Sequence, residues 1–341
     1  MAINFAEKDI NAIKQLLSTP KNIVVTTHHR PDGDAIGSSL GLYHYLLPGK
    51  HKVTVVTPSD FPDFLHWMEG VDKIIDFGSN AAEAIRVTAE ADLIFCLDFN
   101  QLNRLDKYEP YVSKSKATKI LIDHHLDPDK IFDYTFSFTE ACSTCELIYL
   151  FIEALGDKSK ITKPMAECIY TGIMTDTNSF RYASMKPSTH RIIASLMEAG
   201  AENFRIHENV YDNFSEDRLR LLGYCISEKM KVLPEFRAAY ISLSKEELSR
   251  FNFQAGDTEG VVNYALSIKG IKLAALFMDR DGEIKISLRS KDEFSVKEMA
   301  NKHFEGGGHR NASGGRSSES LQQTVDRFVS ILPSYKEELS K

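Results

Sequence analysis

Histidine and aspartate residues stand at the ends of several short apolar or helical runs of this chain. The first run, residues 22–27 (NIVVTT), leads directly into the segment HHRPDGD. The residues of this kind include His28, Asp32, Asp34, Asp98, Asp123, His124, His125 and Asp176. Carboxylate oxygens and imidazole nitrogens bind divalent cations, and a pair of such cations can ready a water for attack on phosphorus.

Any one of these residues also has an ordinary structural explanation. An aspartate after a strand commonly forms a turn or caps a helix, and Asp34 could cap a helix that starts at Ala35. The repetition along the chain is harder to explain in this way. Carboxylates that converge in a poorly solvated site repel each other strongly unless cations neutralise them. We therefore predict a metal site.

Four short apolar runs are predicted to be buried parallel strands. They cover residues 22–27, 52–57, 92–97 and 119–122. Helical patterns lie between them, such as AIGSSLGLYHYLL after the first run and NAAEAIRVTAE before the third. This alternation predicts a doubly wound α/β sheet with right-handed crossovers. Ligands of such sheets bind at the carboxyl ends of the strands, which is where the histidines and aspartates fall.

A second, smaller α/β domain is predicted after a helical stretch. VLPEFRAAYISL is predicted to be one strand, and IKLAALFMDRDGEIKISLRS a hairpin that turns at Asp281-Gly282. A glycine-rich loop and a last helix, ESLQQTVDRFVSIL, follow. We predict domains over 1–185 and 231–341, joined by a helical connector over 186–230.

The composition and charge of the chain limit the functions it can have. Its 341 residues, 43% of them hydrophobic, suffice for two ordinary globular domains. No apolar run approaches the roughly 18 residues of a membrane-spanning helix, and the charged N-terminus lacks a signal-peptide core. The net charge is −7 and no block of Lys and Arg stands out, which argues against binding of long nucleic acid. We predict a cytoplasmic protein with no membrane partner, whose nucleic-acid substrate, if it has one, is short.

The five cysteines are predicted to be unpaired. They are an odd number scattered over a long chain, which is not the pattern of a disulfide framework. Cys142 and Cys145 have CxxC spacing, but no second pair completes a zinc site. Buried residues on a helix are therefore favoured over zinc binding or redox chemistry.

Charge balance among the proposed ligands predicts two divalent cations. The ligand set is taken as His28, Asp32, Asp34, Asp98, His124 and Asp176. Its four carboxylates match two doubly charged ions, while the imidazoles bind neutral. Oxygen-rich ligation without thiolate suits Mn²⁺ or Mg²⁺, and the imidazoles favour Mn²⁺. Two ions about 3.5–4 Å apart need a bridging ligand. Gly33 is expected to let the backbone bend so that Asp32 and Asp34 face different ions.

A glycine-rich segment, FEGGGHRNASGG over residues 304–315, is the second feature with chemical potential. Consecutive glycines let backbone N–H groups approach a phosphate or ribose closely, and His309 and Arg310 supply further donors. Such a segment is common and does not by itself define a ligand.

The order of these motifs resembles the DHH phosphoesterases, which are named for the triplet that stands here as Asp123-His124-His125. HxxxDxD at residues 28–34, the lone Asp98 and the aspartate of TGIMTDT follow the family's order over nearly the whole chain. The resemblance implies that one cation is held by His28, Asp32 and Asp98. It implies that the other is held by Asp34, Asp98, His124 and Asp176, so that Asp98 bridges the two. It further implies that Asp123 orients an imidazole and that His125 faces the substrate phosphate.

The C-terminal half is similar to the DHHA1 substrate domain of the same family. The matching residues are Arg289, Ser290, Gly306, Gly307, Gly308 and His309. The resemblance implies that they bind the nucleotide end of the substrate, with the active site in the cleft between the domains. Arg181 in SFRYAS is a candidate phosphate contact, with a structural salt bridge as an equal alternative. Asn178 replaces a glycine that the family usually has, and asparagine tolerates positive φ better than other non-glycine residues.

Within the family, the pairing of these domains resembles the short oligoribonuclease and pAp phosphatase group, the nanoRNases. This implies a phosphoesterase that hydrolyses RNA oligonucleotides of a few nucleotides, removes the 3′-phosphate of 3′-phosphoadenosine 5′-phosphate (pAp), or does both. A phosphodiesterase of the linear dinucleotide pApA, a phosphoanhydride hydrolase and a nucleotide sensor without activity stay open as alternatives. The fold is also compatible with a homodimer.

Overall fold

The computed structural model describes residues 3–181, 184–280 and 282–340. The chain forms two compact units, one up to Asn213 and one from Phe214. The separate connector predicted over 186–230 stays a prediction, and helices occupy much of that stretch. Asp281, half of the predicted hairpin turn, lies outside the described residues.

The first unit alternates strands and helices along the chain. Its strands are β1 (Asn22–Thr26), β2 (Lys52–Thr57), β3 (Ile75–Asp76), β4 (Leu93–Leu97), β5 (Thr118–Asp123) and β6 (Tyr134–Ser137). Its helices are α1 (Glu7–Leu16), α2 (Gly33–Leu46), α3 (Ala81–Ala89), α4 (Glu109–Lys114), α5 (Thr144–Ala154), α6 (Lys163–Asp176), α7 (Pro187–Glu198) and α8 (Asn203–Tyr211).

The strands of this unit form one parallel sheet in the order β3-β2-β1-β4-β5-β6. Val25 of β1 pairs with Val55 on one side and with Phe95 on the other. The four predicted strands are confirmed, and the structure adds the short edge strands β3 and β6. The chain runs outward from β1 in one direction and then from β4 in the other, so the strand order reverses between β1 and β4.

Both faces of the parallel sheet are covered, which confirms the doubly wound architecture. Ile23 and Val25 of β1 belong to a large core shared with α2, α5 and α6. Val24, between them, belongs to the opposite core with Ala84 and Val87 of α3. Alternate residues of a strand face opposite sides of the sheet, so burial on both sides explains the continuous apolar runs in the sequence.

Glycines bring α2 and α6 into close contact. A Cβ atom on Gly33 would lie 2.3 Å from Thr175 Oγ1, and one on Gly37 would lie 2.5 Å from the Cys168 carbonyl oxygen. Gly33 is the first residue of α2. Glycine therefore provides close helix packing at this position, and not the backbone bend that the sequence suggested. We call the glycine-lined contact between α2 and α6 the glycine seam.

The second unit has its own sheet. Its strands are β7 (Met230–Leu233), β8 (Ala238–Leu243), β9 (Leu273–Arg280), β10 (Glu283–Ser290), β11 (Gly307–Gly308) and β12 (Ala312–Ser317). Its helices are α9 (Glu216–Tyr224), α10 (Lys245–Arg250), α11 (Val261–Leu266), α12 (Val296–His303) and α13 (Leu321–Ser340). The strand order is β11-β12-β10-β9-β8-β7, and β8 and β9 are the parallel neighbours in it.

Three expectations for this unit meet different outcomes. The hairpin of β9 and β10 is confirmed. The single strand predicted for VLPEFRAAYISL is wrong, because a turn over Pro234–Phe236 divides it into the antiparallel pair β7 and β8. Part of the predicted glycine loop is strand β11, which pairs with β12.

Two general expectations concern cysteines and membranes. All five cysteines are buried and free, which confirms that no disulfide framework exists. Within the described ranges, no helix combines the length and the hydrophobicity that crossing a bilayer would require.

Candidate metal site

The proposed ligands meet at the carboxyl edge of the parallel sheet, next to the point where the strand order reverses. His28 and Asp32 follow β1, and Asp98 follows β4, the neighbouring strand. Asp123 is the last residue of β5, and Asp176 is the last residue of α6. Crevices of this kind are where open α/β sheets bind ligands.

Asp98 lies at the centre of the group. Its Oδ2 is 3.4 Å from His28 Nε2, and its Oδ1 is 3.5 Å from His124 Nε2. Only 2% of Asp98 is exposed. Its φ of +61° is left-handed, a conformation that aspartate adopts more readily than most residues. The turn at the end of β4 thus holds one carboxylate between two imidazoles.

The first ligand group contains His28, Asp32 and Asp98. His28 Nδ1 donates to the His29 carbonyl oxygen at 3.0 Å, which leaves Nε2 free to act as a ligand. Asp32 Oδ2 lies 3.9 Å from that Nε2, while its Oδ1 accepts from two backbone N–H groups and caps α2. The alternative of Asp34 as the cap is therefore wrong.

The second ligand group contains Asp34, His124 and Asp176. His124 Nε2 is 3.9 Å from Asp34 Oδ2 and 3.7 Å from Asp176 Oδ2. Asp34 is buried, and its two oxygens accept the backbone N–H groups of Thr144 and Cys145 at 2.6 and 2.9 Å. Each carboxylate oxygen has a second lone pair, so these bonds leave Asp34 able to bind a cation.

The spacing of the donor atoms suits divalent cations. A ligand atom lies about 2.1 Å from Mg²⁺, so two ligands of one ion are about 3.0 Å apart at right angles and about 4.2 Å apart when opposite. The N–O separations of 3.4 to 3.9 Å within the two groups fall in this range. The donor atoms are oxygen and imidazole nitrogen, as hard and borderline divalent cations prefer.

The charges of the ligand side chains favour binding of a positive ion between them, as the directions of their pKa shifts indicate. Burial, with the charges of Asp98 and Asp176, raises the pKa of Asp34 well above its ordinary value, and burial raises the pKa of Asp176 to about 6. Burial acts to lower the pKa of His124, but contact with Asp98 and the charge of Asp176 hold it well above its ordinary value. Burial acts to raise the pKa of Asp98, but contacts with His124 and His28 hold it well below. Without a bound cation, these shifts favour protonation of Asp34, Asp176 and His124.

Cation binding is expected to release protons and to weaken as pH falls. A raised pKa keeps Asp176 and His124 protonated to higher pH, and a ligand must lose its proton before it binds a cation. The apparent affinity for Mn²⁺ should therefore rise between pH 6 and about pH 8. Calorimetric titration in buffers of different ionisation enthalpy measures both quantities. Equal affinity at the two pH values, with no proton release, would contradict the expectation.

Asp123 and His125 form a pair beside the ligands. His125 Nδ1 donates to Asp123 Oδ1 at 2.7 Å, and the His125 backbone N–H donates to Asp123 Oδ2 at 3.0 Å. Asp123 is fully buried, while 14% of the His125 side chain is exposed. The carboxylate thus fixes the tautomer and the orientation of a partly accessible imidazole.

The residues predicted to bind the nucleotide lie in the second unit. Arg289 of β10 pairs with Ala312 of β12, and His309 exchanges backbone hydrogen bonds with the same Ala312 at 2.8 and 3.3 Å. Arg289 and His309 therefore flank one residue at one end of the sheet. Arg289 Nε is buried and has no hydrogen-bond partner among the described residues.

The other predicted substrate residues in this unit have structural contacts of their own. The Ser290 hydroxyl donates to the Phe294 carbonyl oxygen at 2.6 Å, and a Cβ on Gly306 would lie 2.1 Å from the Gly314 carbonyl oxygen. Gly308 has a φ of +139°, whereas a Cβ on Gly307 would approach Asn301 Oδ1 no closer than 3.4 Å. Roles of Ser290 and the three glycines in binding stay predictions.

The segment after α6 contains the two remaining positions of interest. Asn178 has a φ of +50°, which is left-handed. This conformation is expected at a position where the family usually has glycine. Arg181 is exposed, and its backbone N–H donates to the Thr177 carbonyl oxygen at 2.9 Å. Its contact with phosphate stays a prediction.

The sequence reasoning missed Thr144. Its hydroxyl donates to Asp98 Oδ1 at 2.9 Å, in addition to the backbone bond to Asp34. The available signal was the segment STCE, in which Ser143 and Glu146 have the spacing of a helix-capping box before an apolar run. That pattern predicts where α5 begins, but it does not reveal which side chains face the helix start.

The fold and the site define a phosphoesterase of the DHH class. Residues 22–173 match the DHH family, N-terminal domain, and residues 237–338 match the DHHA1 domain. The chain therefore belongs to the DHH family and is a hydrolase that acts on phosphate esters. This confirms the family predicted from the sequence.

Individual relatives resemble the chain over nearly its whole length. The crystal structure of an exopolyphosphatase-related protein from Bacteroides fragilis is 42% identical, covers 100% of both chains and superposes with a TM-score of 0.96. The probable bifunctional oligoribonuclease and PAP phosphatase NrnA of Streptococcus mutans is 29% identical over 94% of this chain and 98% of that protein. The bifunctional oligoribonuclease and PAP phosphatase NrnA of Bacillus subtilis is 29% identical over 87% of this chain and 90% of that protein.

Proposed function

We propose that this chain is a divalent-cation-dependent phosphoesterase that hydrolyses short oligoribonucleotides to mononucleotides and removes the 3′-phosphate of pAp. The position of Asp98, with one oxygen 3.4 Å from His28 and the other 3.5 Å from His124, carries the proposal. A closely spaced pair of cations needs a bridging ligand, and the Asp98 carboxylate is placed to be one. The names of the Streptococcus mutans and Bacillus subtilis relatives support the substrate class.

The proposed ligand sets follow the two groups of side chains. One cation would be held by His28, Asp32 and Asp98, and the other by Asp34, Asp98, His124 and Asp176. When bound, the cations neutralise the carboxylates, polarise the phosphate and supply an activated water. Mn²⁺ is the proposed preference over Mg²⁺, because two imidazoles belong to the sets.

His125 is proposed to stabilise the charge that develops on the phosphate. His125 Nδ1 donates to Asp123 Oδ1 at 2.7 Å, which fixes the tautomer and the orientation of the ring. An imidazole N–H directed at a phosphate oxygen would stabilise that charge. Asp123 acts through His125 and is a positioning residue.

The second unit is proposed to bind the nucleotide part of the substrate. Arg289 and His309 flank Ala312 on the sheet, and the buried Arg289 Nε has no hydrogen-bond partner among the described residues. A buried guanidinium N–H without a partner is costly, and a phosphate or base oxygen would satisfy it.

Phosphoanhydride cleavage is the second candidate function. It is favoured by the description of the Bacteroides fragilis relative as exopolyphosphatase-related. A pair of cations contacts only phosphate and would serve both reactions. The substrates differ in that polyphosphate offers no ribose or base to the second unit.

A turnover panel tests the proposal. The protein is assayed with Mn²⁺ and Mg²⁺ in turn on pAp, pApA, a short oligoribonucleotide, pyrophosphate and tripolyphosphate. We expect kcat/KM for the best nucleotide substrate to exceed that for tripolyphosphate by at least about tenfold, or ~1.4 kcal/mol. Intact pAp and oligonucleotides after prolonged incubation would refute the proposal, and rapid cleavage of tripolyphosphate alone would establish the second candidate.

Arg289→Gln sharpens the panel. Loss of the guanidinium should raise KM for nucleotide substrates by about tenfold and leave cleavage of tripolyphosphate nearly unchanged. Arg316→Gln is the matched control, because Arg316 lies on neighbouring β12 with 61% of its side chain exposed, next to Glu305.

A further inference from the structure

Thr144 connects two of the proposed ligands from outside both cation groups. It is the first residue of α5 and is fully buried. Its hydroxyl donates to Asp98 Oδ1 at 2.9 Å, and its backbone N–H donates to Asp34 Oδ2 at 2.6 Å. One residue thus contacts the bridging carboxylate and a carboxylate of the second group.

The Thr144 hydroxyl restricts the rotation of the Asp98 carboxylate. Rotation of a carboxylate about its last bond is soft, so the side chain of Asp98 alone does not fix where its two oxygens lie. The bond from Thr144 fixes Oδ1 on the side of His124. Oδ2 is then directed to His28, at 3.4 Å. The two oxygens are thereby assigned to different cation groups.

The start of α5 is itself held rigidly. Ser143 caps the helix by accepting the Glu146 backbone N–H at 3.0 Å. The buried Glu146 side chain accepts from the Cys142 backbone N–H at 2.8 Å and from the Thr189 hydroxyl of α7 at 2.6 Å. Thr144 is therefore fixed by its neighbours, as a group that positions another must be.

We propose that Thr144 is a positioning residue that holds the Asp98 carboxylate across the two cation sites. The inference rests on the proposed function, since it assigns the bridging role to Asp98. Thr144 belongs to neither ligand group and would act through the orientation of Asp98. Without its hydroxyl, the protein keeps every ligand but loses the fixed division of the two oxygens.

Thr144→Val removes the hydroxyl and preserves the shape of the side chain and the backbone N–H. Thr144→Ser keeps the hydroxyl and is the rescue variant. Thr171→Val is the matched control, because Thr171 of α6 is also fully buried but its hydroxyl donates only to the Glu167 carbonyl oxygen of its own helix. Thr144→Ala replaces the valine variant should valine prevent folding.

The readout is Mn²⁺ titration followed by electron paramagnetic resonance, which distinguishes a coupled pair of ions from isolated ones. Wild type, Thr144→Ser and Thr171→Val should bind two ions and give the coupled spectrum. Thr144→Val should bind the second ion about 10- to 100-fold more weakly and lose the coupling. In turnover, kcat should fall while KM stays near the wild-type value.

Two results would overturn the inference: a coupled Mn²⁺ pair of wild-type affinity in Thr144→Val, or the same loss of affinity in Thr171→Val. Failure of the proposed function gives a different result. A wild-type protein that leaves pAp and oligonucleotides intact refutes that function, whereas the spectra of the variants still decide the role of Thr144.

Discussion

Asp98→Asn is expected to lower kcat by at least about 10³-fold on any substrate that the wild type hydrolyses, a loss of ~4 kcal/mol in transition-state stabilisation. The neutral amide cannot replace a carboxylate that lies between His28 and His124. Asparagine, like aspartate, tolerates the left-handed φ of +61°, so the turn after β4 should survive. Steady-state kinetics with saturating Mn²⁺, together with the circular dichroism spectrum, measure the effect.

Asp106→Asn is the control for this substitution. Asp106 also has a positive φ, +50°, but 55% of its side chain is exposed, and it belongs to neither ligand group. The control should retain wild-type activity. Turnover by Asp98→Asn within a few fold of wild type would refute both the bridging role of Asp98 and the proposed cation dependence.

Removal of divalent cations by a chelator is expected to abolish hydrolysis, and addition of Mn²⁺ should restore it. Burial, with the charges of Asp98 and Asp176, disfavours the ionised form of Asp34 and raises its pKa, so neutralising cations should also stabilise the fold. At a free Mn²⁺ concentration of about 100 times Kd the gain is roughly 2.7 kcal/mol, which appears as a higher Tm. Activity and thermal unfolding are measured in the same preparations.

Asp98→Asn again provides the comparison. If Mn²⁺ stabilises the wild type by binding at this site, the increase in Tm should be much smaller in the variant. An equal increase in both proteins would place the stabilising ions elsewhere. Undiminished hydrolysis after thorough chelation would show that the reaction needs no divalent cation.

Much of the fold of the first unit could be predicted because its signals are local. Strands such as β4 are buried on both faces, which requires an unbroken apolar run in the sequence. The carboxyl ends of parallel strands share one edge of the sheet, so polar residues directly after these runs could be predicted to lie together. β3 and β6 escaped prediction because they are short edge strands, with two and four residues. Pro234 was the available signal for the division into β7 and β8, because a proline inside a strand-like pattern argues against one continuous strand.

The contacts that complete the site depend on residues far apart in the chain. Thr144 and Asp98 are separated by 46 positions, and Thr144 and Asp34 by 110. A threonine at the start of an apolar helix has a sufficient local explanation as part of a capped helix. The choice of Asp32 over Asp34 as the cap of α2 likewise depends on where α5 begins. The first backbone N–H groups of α5 donate to the Asp34 carboxylate, which is therefore not the cap of α2.

The glycine seam has a consequence for the choice of ion. Asp34 stands in the first turn of α2, and Asp176 is the last residue of α6, so both are carried by helices whose backbones touch. The spacing of the two backbone positions that carry these carboxylates is therefore set by main-chain contact. If these carboxylates hold the proposed second cation, a fixed spacing would favour a small ion, since Mg²⁺ needs shorter ligand distances than Ca²⁺. Gly37→Ala would place a methyl group 2.5 Å from the Cys168 carbonyl oxygen, so we expect it to spread the helices and relax that discrimination.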